Sequence, residues 1–135
     1  MSNLMFRAKS IHDNKWCIGY YYNNCDIGVN EDVLVCPNYE KGTAEYKRID
    51  RGTLGQYTGI NDMWAKNIYE DDIVRCGYGT GKVIEKNGCF MVEWIKDRHS
   101  DVEFLFSRNG REIRTGDDVF EVIGNIIDNP EMLQP

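Results

Sequence analysis

Two histidines and five cysteines are the side chains in this 135-residue sequence with the chemistry for nucleophilic catalysis. A cysteine or serine nucleophile needs a base beside it, and His12 and His99 are the candidates for that base. His12 lies in a polar segment and His99 in a run of charged residues, so we expect both to be exposed loop residues. The histidines and cysteines also lack the spacing of a zinc site. The sequence therefore predicts no enzyme, no metal site and no cofactor.

The glycine-rich segment Gly77–Lys82 invites comparison with loops that bind phosphate. A Walker motif would need glycine where this chain has Cys76, and serine or threonine where it has Val83. A strand is predicted after the segment, so no helix N-terminus is available to an anion. We interpret the segment as a turn between two strands.

Acidic residues cluster at Glu70-Asp71-Asp72 and at Asp117-Asp118. Calcium loops space their ligands along a longer segment that includes glycine, and neighbouring residues of a strand point to opposite faces. We therefore expect solvated carboxylates in both clusters, with the first at the start of a strand.

Three aromatic residues, Tyr57, Trp64 and Tyr69, surround a segment rich in turn-forming residues. Aromatic side chains often anchor a protein partner, but a small β domain also needs them to cover its core. The sequence favours packing for these residues and leaves partner binding as the alternative.

The charge of the chain argues against a polyanionic ligand. The formal net charge is −6, whereas proteins that neutralise phosphates usually carry a basic surplus. Arg108, Arg111 and Arg114 form a local basic cluster, which the neighbouring Glu112, Asp117 and Asp118 weaken. A nucleic-acid-binding module that uses these three arginines is therefore the alternative function, and nucleic acid is not the expected partner.

Five cysteines are an odd number and include no C-x-x-C pair, which predicts free thiols rather than a disulfide framework. No apolar run reaches the length that a membrane-spanning helix needs. The first ten residues lack the apolar core of a secretory signal. Together these observations predict a cytoplasmic protein that does not bind membranes.

Short apolar runs between clusters of glycine, asparagine and aspartate are typical of an all-β chain. The predicted strands are Met5–Ala8, Trp16–Tyr22, Val33–Cys36, Tyr46–Ile49, Ile73–Cys76, Gly81–Lys86, Cys89–Ile95, Val102–Phe106 and Val119–Ile127. The span Asp62–Asp71 is predicted to be partly helical, and the last five residues to form one helical turn at most.

Asn87-Gly88 gives the strongest local prediction, because this pair favours a two-residue hairpin turn in which both residues take φ > 0. The turn fixes a register in which Val83 pairs with Val92 and Lys82 pairs with Glu93. The core face that follows from this register consists of Val83, Phe90, Val92 and Trp94.

The length of the chain fits one domain. We predict a small barrel or sandwich of short antiparallel strands and hairpins. Its N-terminal part, about residues 1–58, is irregular in sequence, and its C-terminal part, about residues 59–135, is barrel-like. No internal repeat is visible.

Five segments resemble the YopX family and occur in the order of that family. They are MFRAK at Met5–Lys9, LGQYTGIND at Leu54–Asp62, NIYEDDIV at Asn67–Val74, GKVIEKNGCFMVEW at Gly81–Trp94 and FEVIGNIIDNPEML at Phe120–Leu133. The chain departs from the family in two places. The family usually has a glycine-containing turn at Met63–Lys66 and a glycine at Asp71.

The resemblance implies a mostly β fold with barrel-like character, a phage or prophage origin in bacteria, and assembly into homo-oligomers. It implies no catalytic residue and no cofactor. The favoured function is therefore a non-enzymatic interaction or assembly protein in the cytoplasm of a bacterial host. Its expected partner is a second copy of itself or an unknown phage or host protein.

Overall fold

The computed structural model describes residues 5–24, 31–77, 79–94, 102–104 and 120–133 of the chain. Within these ranges the chain forms eleven strands, and its helical residues lie in two short 3-10 turns, Arg51–Thr53 and Pro130–Leu133. The strands are β1 Phe6–Lys9, β2 Trp16–Asn24, β3 Glu31–Asn38, β4 Thr43–Arg48, β5 Gly55–Asn61, β6 Asn67–Tyr69, β7 Asp72–Cys76, β8 Gly79–Lys86, β9 Cys89–Trp94, β10 Val102–Phe104 and β11 Glu121–Asn125. The two sheets are antiparallel, and the predicted all-β class is confirmed.

The chain divides into two compact units, residues 1–57 and residues 58–135. Strand β5 spans the division, since its first residues pair with β1 and its later residues lie in the C-terminal unit. Compactness alone does not decide how many domains the chain folds as, so the single domain stays a prediction.

The six-stranded sheet has the order β4-β3-β2-β1-β5-β6. The N-terminal unit contains β1 to β4 and the start of β5, in the order β4-β3-β2-β1-β5. The first half of β2 pairs with β1 and its second half with β3. Ile49, directly after β4, forms a bridge with Ser10, directly after β1. The amide of Ile49 also donates a hydrogen bond to the carbonyl of Asp32 in β3. These contacts curl the sheet around a buried cluster of Ala8, Leu34 and Ile49, with Phe6, Cys17, Tyr21, Cys36 and Leu54 packed against it.

The C-terminal unit contains a five-stranded sheet in the order β10-β9-β8-β7-β11. Strand β11, the last strand of this sheet along the chain, pairs with β7, the first. The core cluster of this unit consists of Ile60, Ile68, Val74, Val83, Val92 and Trp94.

The two units therefore share one strand order, in which the first strand lies between the second and the fifth. Each unit also has a glycine in its second strand that leaves no room for a side chain. A Cβ on Gly19 would lie 2.3 Å from the carbonyl oxygen of Val35, and a Cβ on Gly81 would lie 2.4 Å from Cγ1 of Val92. Glycine at these positions lets a strand bend at a barrel corner. The N-terminal part, irregular in sequence, is thus regular in structure.

The β8–β9 hairpin has the predicted register, with Val83 opposite Val92 and Lys82 opposite Glu93. Both turn residues have positive φ, 54° at Asn87 and 81° at Gly88. The predicted core face is confirmed as well. Val83, Val92 and Trp94 are buried, and Phe90 packs against the same cluster.

Two strands, β5 and β6, are absent from the sequence-based prediction. The span predicted to be partly helical, Asp62–Asp71, instead contains a loop, strand β6 and a turn. The described cysteines are free thiols, of which Cys89 is exposed. Cys25 lies outside the described residues.

Candidate functional site

The loop that joins β5 to β6, residues 62–66, is organised by the carboxylate of Asp62. Its Oδ1 accepts hydrogen bonds from the amides of Trp64 and Lys66, both at 2.8 Å, and its Oδ2 accepts one from the amide of Val122 at 3.0 Å. The amide of Asp62 also donates to the carbonyl of Lys66 at 2.7 Å. One side chain therefore fixes the loop and ties it to β11. We call residues 62–66 the Trp64 loop.

The Asp62 side chain is almost fully buried, with 2% of its residue surface exposed. Burial raises the pKa of this carboxyl, but the backbone N–H donors of Val122, Lys66 and Trp64 outweigh that effect and hold the pKa below its usual value. An ionised carboxylate that accepts several backbone hydrogen bonds is a stable arrangement in a protein interior. Asp62 is thus a structural anion.

The backbone of this region is left-handed at two residues that are not glycine. Ala65 has φ 64° and Asp71 has φ 75°. These residues fall where the YopX resemblance departs, at the glycine-containing turn and at the glycine that family members usually have. The turns are therefore formed in this chain without glycine, at a cost in backbone strain that is larger for alanine than for aspartate.

Trp64 projects from this loop and is held in place although it is exposed. Its residue exposure is 69%, and that of the adjacent Met63 is 49%. The indole Nε1 donates a hydrogen bond to Oε2 of Glu121 at 3.0 Å, while Arg75 binds Oε1 of the same carboxylate at 2.8 Å. These two donors, that of Arg75 first, lower the pKa of Glu121. The amide of Met63 donates to the carbonyl of Phe120 at 2.9 Å.

The three aromatic residues singled out in the sequence lie in different environments. Tyr69 is 4% exposed and contributes to the interior. Tyr57 is half-buried and belongs to the N-terminal unit. Trp64 is the most exposed of the three. The shared role in partner binding stays a prediction.

One expectation about the acidic residues is wrong. Asp72 is not solvated but 1% exposed, and its Oδ2 accepts a hydrogen bond from the amide of Tyr69 at 2.8 Å. The donor is the last residue of β6, which the tight turn brings next to the first residue of β7, and composition does not reveal this contact. Within the residues that the structure describes, no group of three or more His, Cys, Asp or Glu side chains is arranged to hold a metal ion.

Several predicted residues cannot be placed. Arg108, Arg111 and Arg114, His99 and the pair Asp117-Asp118 lie outside the described residues. His12 is exposed in a turn, as expected. Of the glycine-rich segment Gly77–Lys82, residues 79–82 belong to strand β8, and Gly79 pairs with Cys76 of β7. The segment therefore lies where β7 is followed by β8, as predicted, but most of it is strand rather than turn.

A second exposed aromatic surface was not singled out in the sequence. Tyr20 lies opposite Val35, which lies opposite Tyr46, and directly opposed residues of an antiparallel sheet share a face. Tyr39 joins them, because a hydrogen bond with its hydroxyl raises the pKa of Tyr20. We call this surface the tyrosine face. It consists of Ile18, Tyr20, Tyr22, Tyr39 and Tyr46, which are 37% to 82% exposed. The sequence WCIGYYYNN of β2 contained a signal for this surface, because every second residue, from Trp16 to Tyr22, lies on one face of the strand.

Comparison with known proteins identifies the family. The sequence model of the YopX protein family matches residues 5–134. The chain belongs to the YopX family. Membership is consistent with the resemblance of the five sequence segments.

The fold of this YopX family member is similar to that of a solved structure, "Crystal structure of protein EF1440 from Enterococcus faecalis". The TM-score is 0.55 at 20% identity, and the match covers 99% of this chain and 100% of that chain. At this identity the similarity concerns the fold. No curated protein has significant sequence similarity to the chain. None of the helices in the described ranges is long and apolar enough to cross a membrane.

Proposed function

We propose that this YopX family member is a non-enzymatic interaction protein that assembles with further copies of itself through the Trp64 loop. The proposal places it in the cytoplasm of a bacterial host, as a phage or prophage product. The observation that carries the proposal is the exposed indole of Trp64, fixed by its hydrogen bond to Glu121.

A fixed exposed tryptophan is well suited to bind a protein. Tryptophan is enriched among the residues that contribute most to binding free energy. A side chain that is already held in one orientation loses less conformational entropy on association. Here the carboxylates of Asp62 and Glu121 hold the backbone and the indole, respectively. The left-handed conformation of Ala65 is strain of a kind that clusters at functional sites.

The sheet edges favour a second copy as the partner. Among the described strands, β6 ends one sheet and β11 ends the other. The Trp64 loop leads into β6, and it is bonded to β11 through Val122. An edge strand offers N–H and C=O groups that can pair with another chain, and identical chains usually assemble with closed symmetry. Edge pairing beside an aromatic anchor therefore supports self-association at this location.

The test is the solution mass of the full chain, measured by light scattering coupled to gel filtration. We expect a defined multimer for the wild type and a smaller species for Trp64→Ala. Tyr39→Ala is the matched control, because Tyr39 is 82% exposed but lies in the N-terminal unit. We expect this control to keep the wild-type mass. A monomeric wild type, or a Trp64→Ala variant of unchanged mass, would contradict the proposal.

A further inference from the structure

The tyrosine face presents aromatic rings in a regular arrangement. Tyr20 and Tyr46 lie on β2 and β4, with β3 between them, so their backbones are about 10 Å apart. Tyr22 lies two residues beyond Tyr20 on the same strand, which places it about 7 Å away on the same face. These spacings allow separate planar groups to stack on separate rings.

Three basic residues and one acidic residue lie at the described strand positions of this face, and two guanidinium nitrogens of Arg7 are buried. Arg7 and Lys9 lie on β1 opposite Ile18 and Trp16, and Arg48 lies on β4 opposite Val33. The acidic residue at these strand positions is Glu31, whose carboxylate lies 3.6 Å from Arg48. The guanidinium of Arg7 and the ammonium of Lys9 lie 4.8 Å and 5.3 Å from the centre of the Trp16 ring.

The net negative charge of the chain does not belong to this unit. Residues 1–57 carry seven Lys and Arg and seven Asp and Glu, whereas residues 58–135 carry nine and fifteen. The N-terminal unit is therefore neutral, and the formal charge of −6 lies entirely in the C-terminal unit. The N-terminal unit therefore has no acidic surplus that would repel a polyanionic ligand, although it has no basic surplus either.

We propose that the tyrosine face binds single-stranded nucleic acid, with bases stacked on Tyr20, Tyr22 and Tyr46 and phosphates near Arg48. Proteins that bind single strands without sequence preference combine aromatic stacking platforms with basic residues along the backbone. A sheet whose aromatic residues stack two or three bases is a known form of such a platform. The site is distinct from Trp64 and goes beyond the proposed self-association.

The experiment is fluorescence anisotropy of labelled oligothymidylate and oligouridylate, about 20 nucleotides long so that they exceed one site, titrated with the full chain. We expect binding that weakens as salt is added. Tyr46→Ala weakens binding about tenfold or more, because one stacking ring is lost, whereas Tyr46→Phe keeps the ring and the affinity. Arg48→Ala reduces the dependence on salt. Trp64→Ala is the control and binds like the wild type.

Three results would overturn the proposal. One is a wild type that does not change the anisotropy of either oligonucleotide at low salt. Another is a Tyr46→Ala variant with wild-type affinity and an unchanged thermal unfolding midpoint. The third is a change in the solution mass of the free protein on Tyr46→Ala with no change in affinity for nucleic acid, which would assign the face to a protein contact. Self-association through Trp64 is measured without nucleic acid, so failure of either proposal is separate from failure of the other.

Discussion

The indole Nε1 of Trp64 lies 3.0 Å from Oε2 of Glu121, a residue 57 positions away in the sequence. This hydrogen bond joins an exposed loop to strand β11. Since Arg75 occupies the other carboxylate oxygen at 2.8 Å, Glu121 is held from two sides, and the orientation of Trp64 depends on the charge of one surface carboxylate.

This dependence predicts a pH response of the Trp64 indole. The pKa of Glu121 is lowered by Arg75 and then by Trp64. Because this pKa is lowered, the hydrogen bond from the Trp64 indole to Glu121 is fully formed at and above the usual glutamate pKa, near 4.3. The bond is lost as the pH falls through the lowered pKa of Glu121. The indole N–H cross-peak of Trp64, followed by NMR, should therefore shift with a midpoint below that range. In Glu121→Gln the peak should not titrate. A midpoint at or above the usual value would contradict the interpretation.

Asp62→Asn should destabilise the fold by about 2 kcal/mol, because an amide nitrogen would face a backbone donor in a buried site. The measurement is the free energy of unfolding in urea. Asp13→Asn is the matched control, since Asp13 is exposed and its carboxylate accepts a hydrogen bond from the amide of Lys15 at 3.1 Å. We expect its effect to be within about 0.5 kcal/mol. Equal losses in both variants would show that the Asp62 bonds do not contribute as described.

The same carboxylate predicts how stability varies with pH. The pKa of Asp62 in the folded chain lies below its usual value, despite burial, because of its backbone donors. The contribution of ionised Asp62 to the free energy of unfolding is therefore fully present above the usual aspartate pKa, about 3.9. It is lost as the pH falls through the pKa of Asp62 in the folded chain. Between neutral pH and acid, the wild type should lose more stability than Asp62→Asn. If the free energies of unfolding of the wild type and Asp62→Asn differed by the same amount at every pH, this linkage would be wrong.

Ala65→Gly should stabilise the fold by about 0.5–1 kcal/mol. Glycine removes the cost of a left-handed alanine, about 1–2 kcal/mol, and part of this gain is offset by its greater freedom in the unfolded chain. Ala44→Gly in strand β4 is the control with the same change of side chain, and it should destabilise the fold instead. The thermal unfolding midpoints of both variants test the prediction. A loss of stability on Ala65→Gly would mean that the loop relaxes differently.

Gly19→Ala and Gly81→Ala should each destabilise the fold by about 2 kcal/mol or more, as overpacking of a tight interior does. The new methyl group would meet the backbone of β3 in one case and the buried Val92 in the other. Gly52→Ala is the control, because its Cβ would come no closer than 3.3 Å to Asp50 Oδ1. Urea unfolding distinguishes the three variants. If Gly19→Ala were as stable as Gly52→Ala, the close approach of β2 and β3 would be wrong.

The sequence was sufficient where a local rule decides the structure. Asn87-Gly88 specifies a turn by its backbone preference alone, so the register from Lys82 to Glu93 could be predicted. Strand β5 was missed because its buried positions include Thr58, whose hydroxyl donates to the carbonyl of Ile68 at 2.8 Å. A polar residue that is satisfied by a distant partner does not contribute to an apolar pattern.

The candidate site was predicted less well for the same reason. The sequence drew attention to Trp64, but not to Asp62 or Glu121, whose partners come from strands far along the chain. The shared strand order of the two units was also invisible. Core positions that correspond in the two units differ in side chain, as at Tyr21 and Val83, which each lie two residues after the glycine of the second strand. The importance of Gly19 and Gly81 is visible only when the atoms close to them are known.

The strand order has a consequence for folding time. A two-residue turn lets β8 and β9 pair within microseconds, whereas β7 and β11 must close a chain segment of more than 40 residues, since Arg75 lies opposite Glu121. Pairing of distant segments is the slow step in such topologies. We therefore expect β11 to dock late and to open early, with faster amide hydrogen exchange at Val122 than at Val92. The Trp64 anchor, which needs both Val122 and Glu121, would then be assembled only when folding is nearly complete.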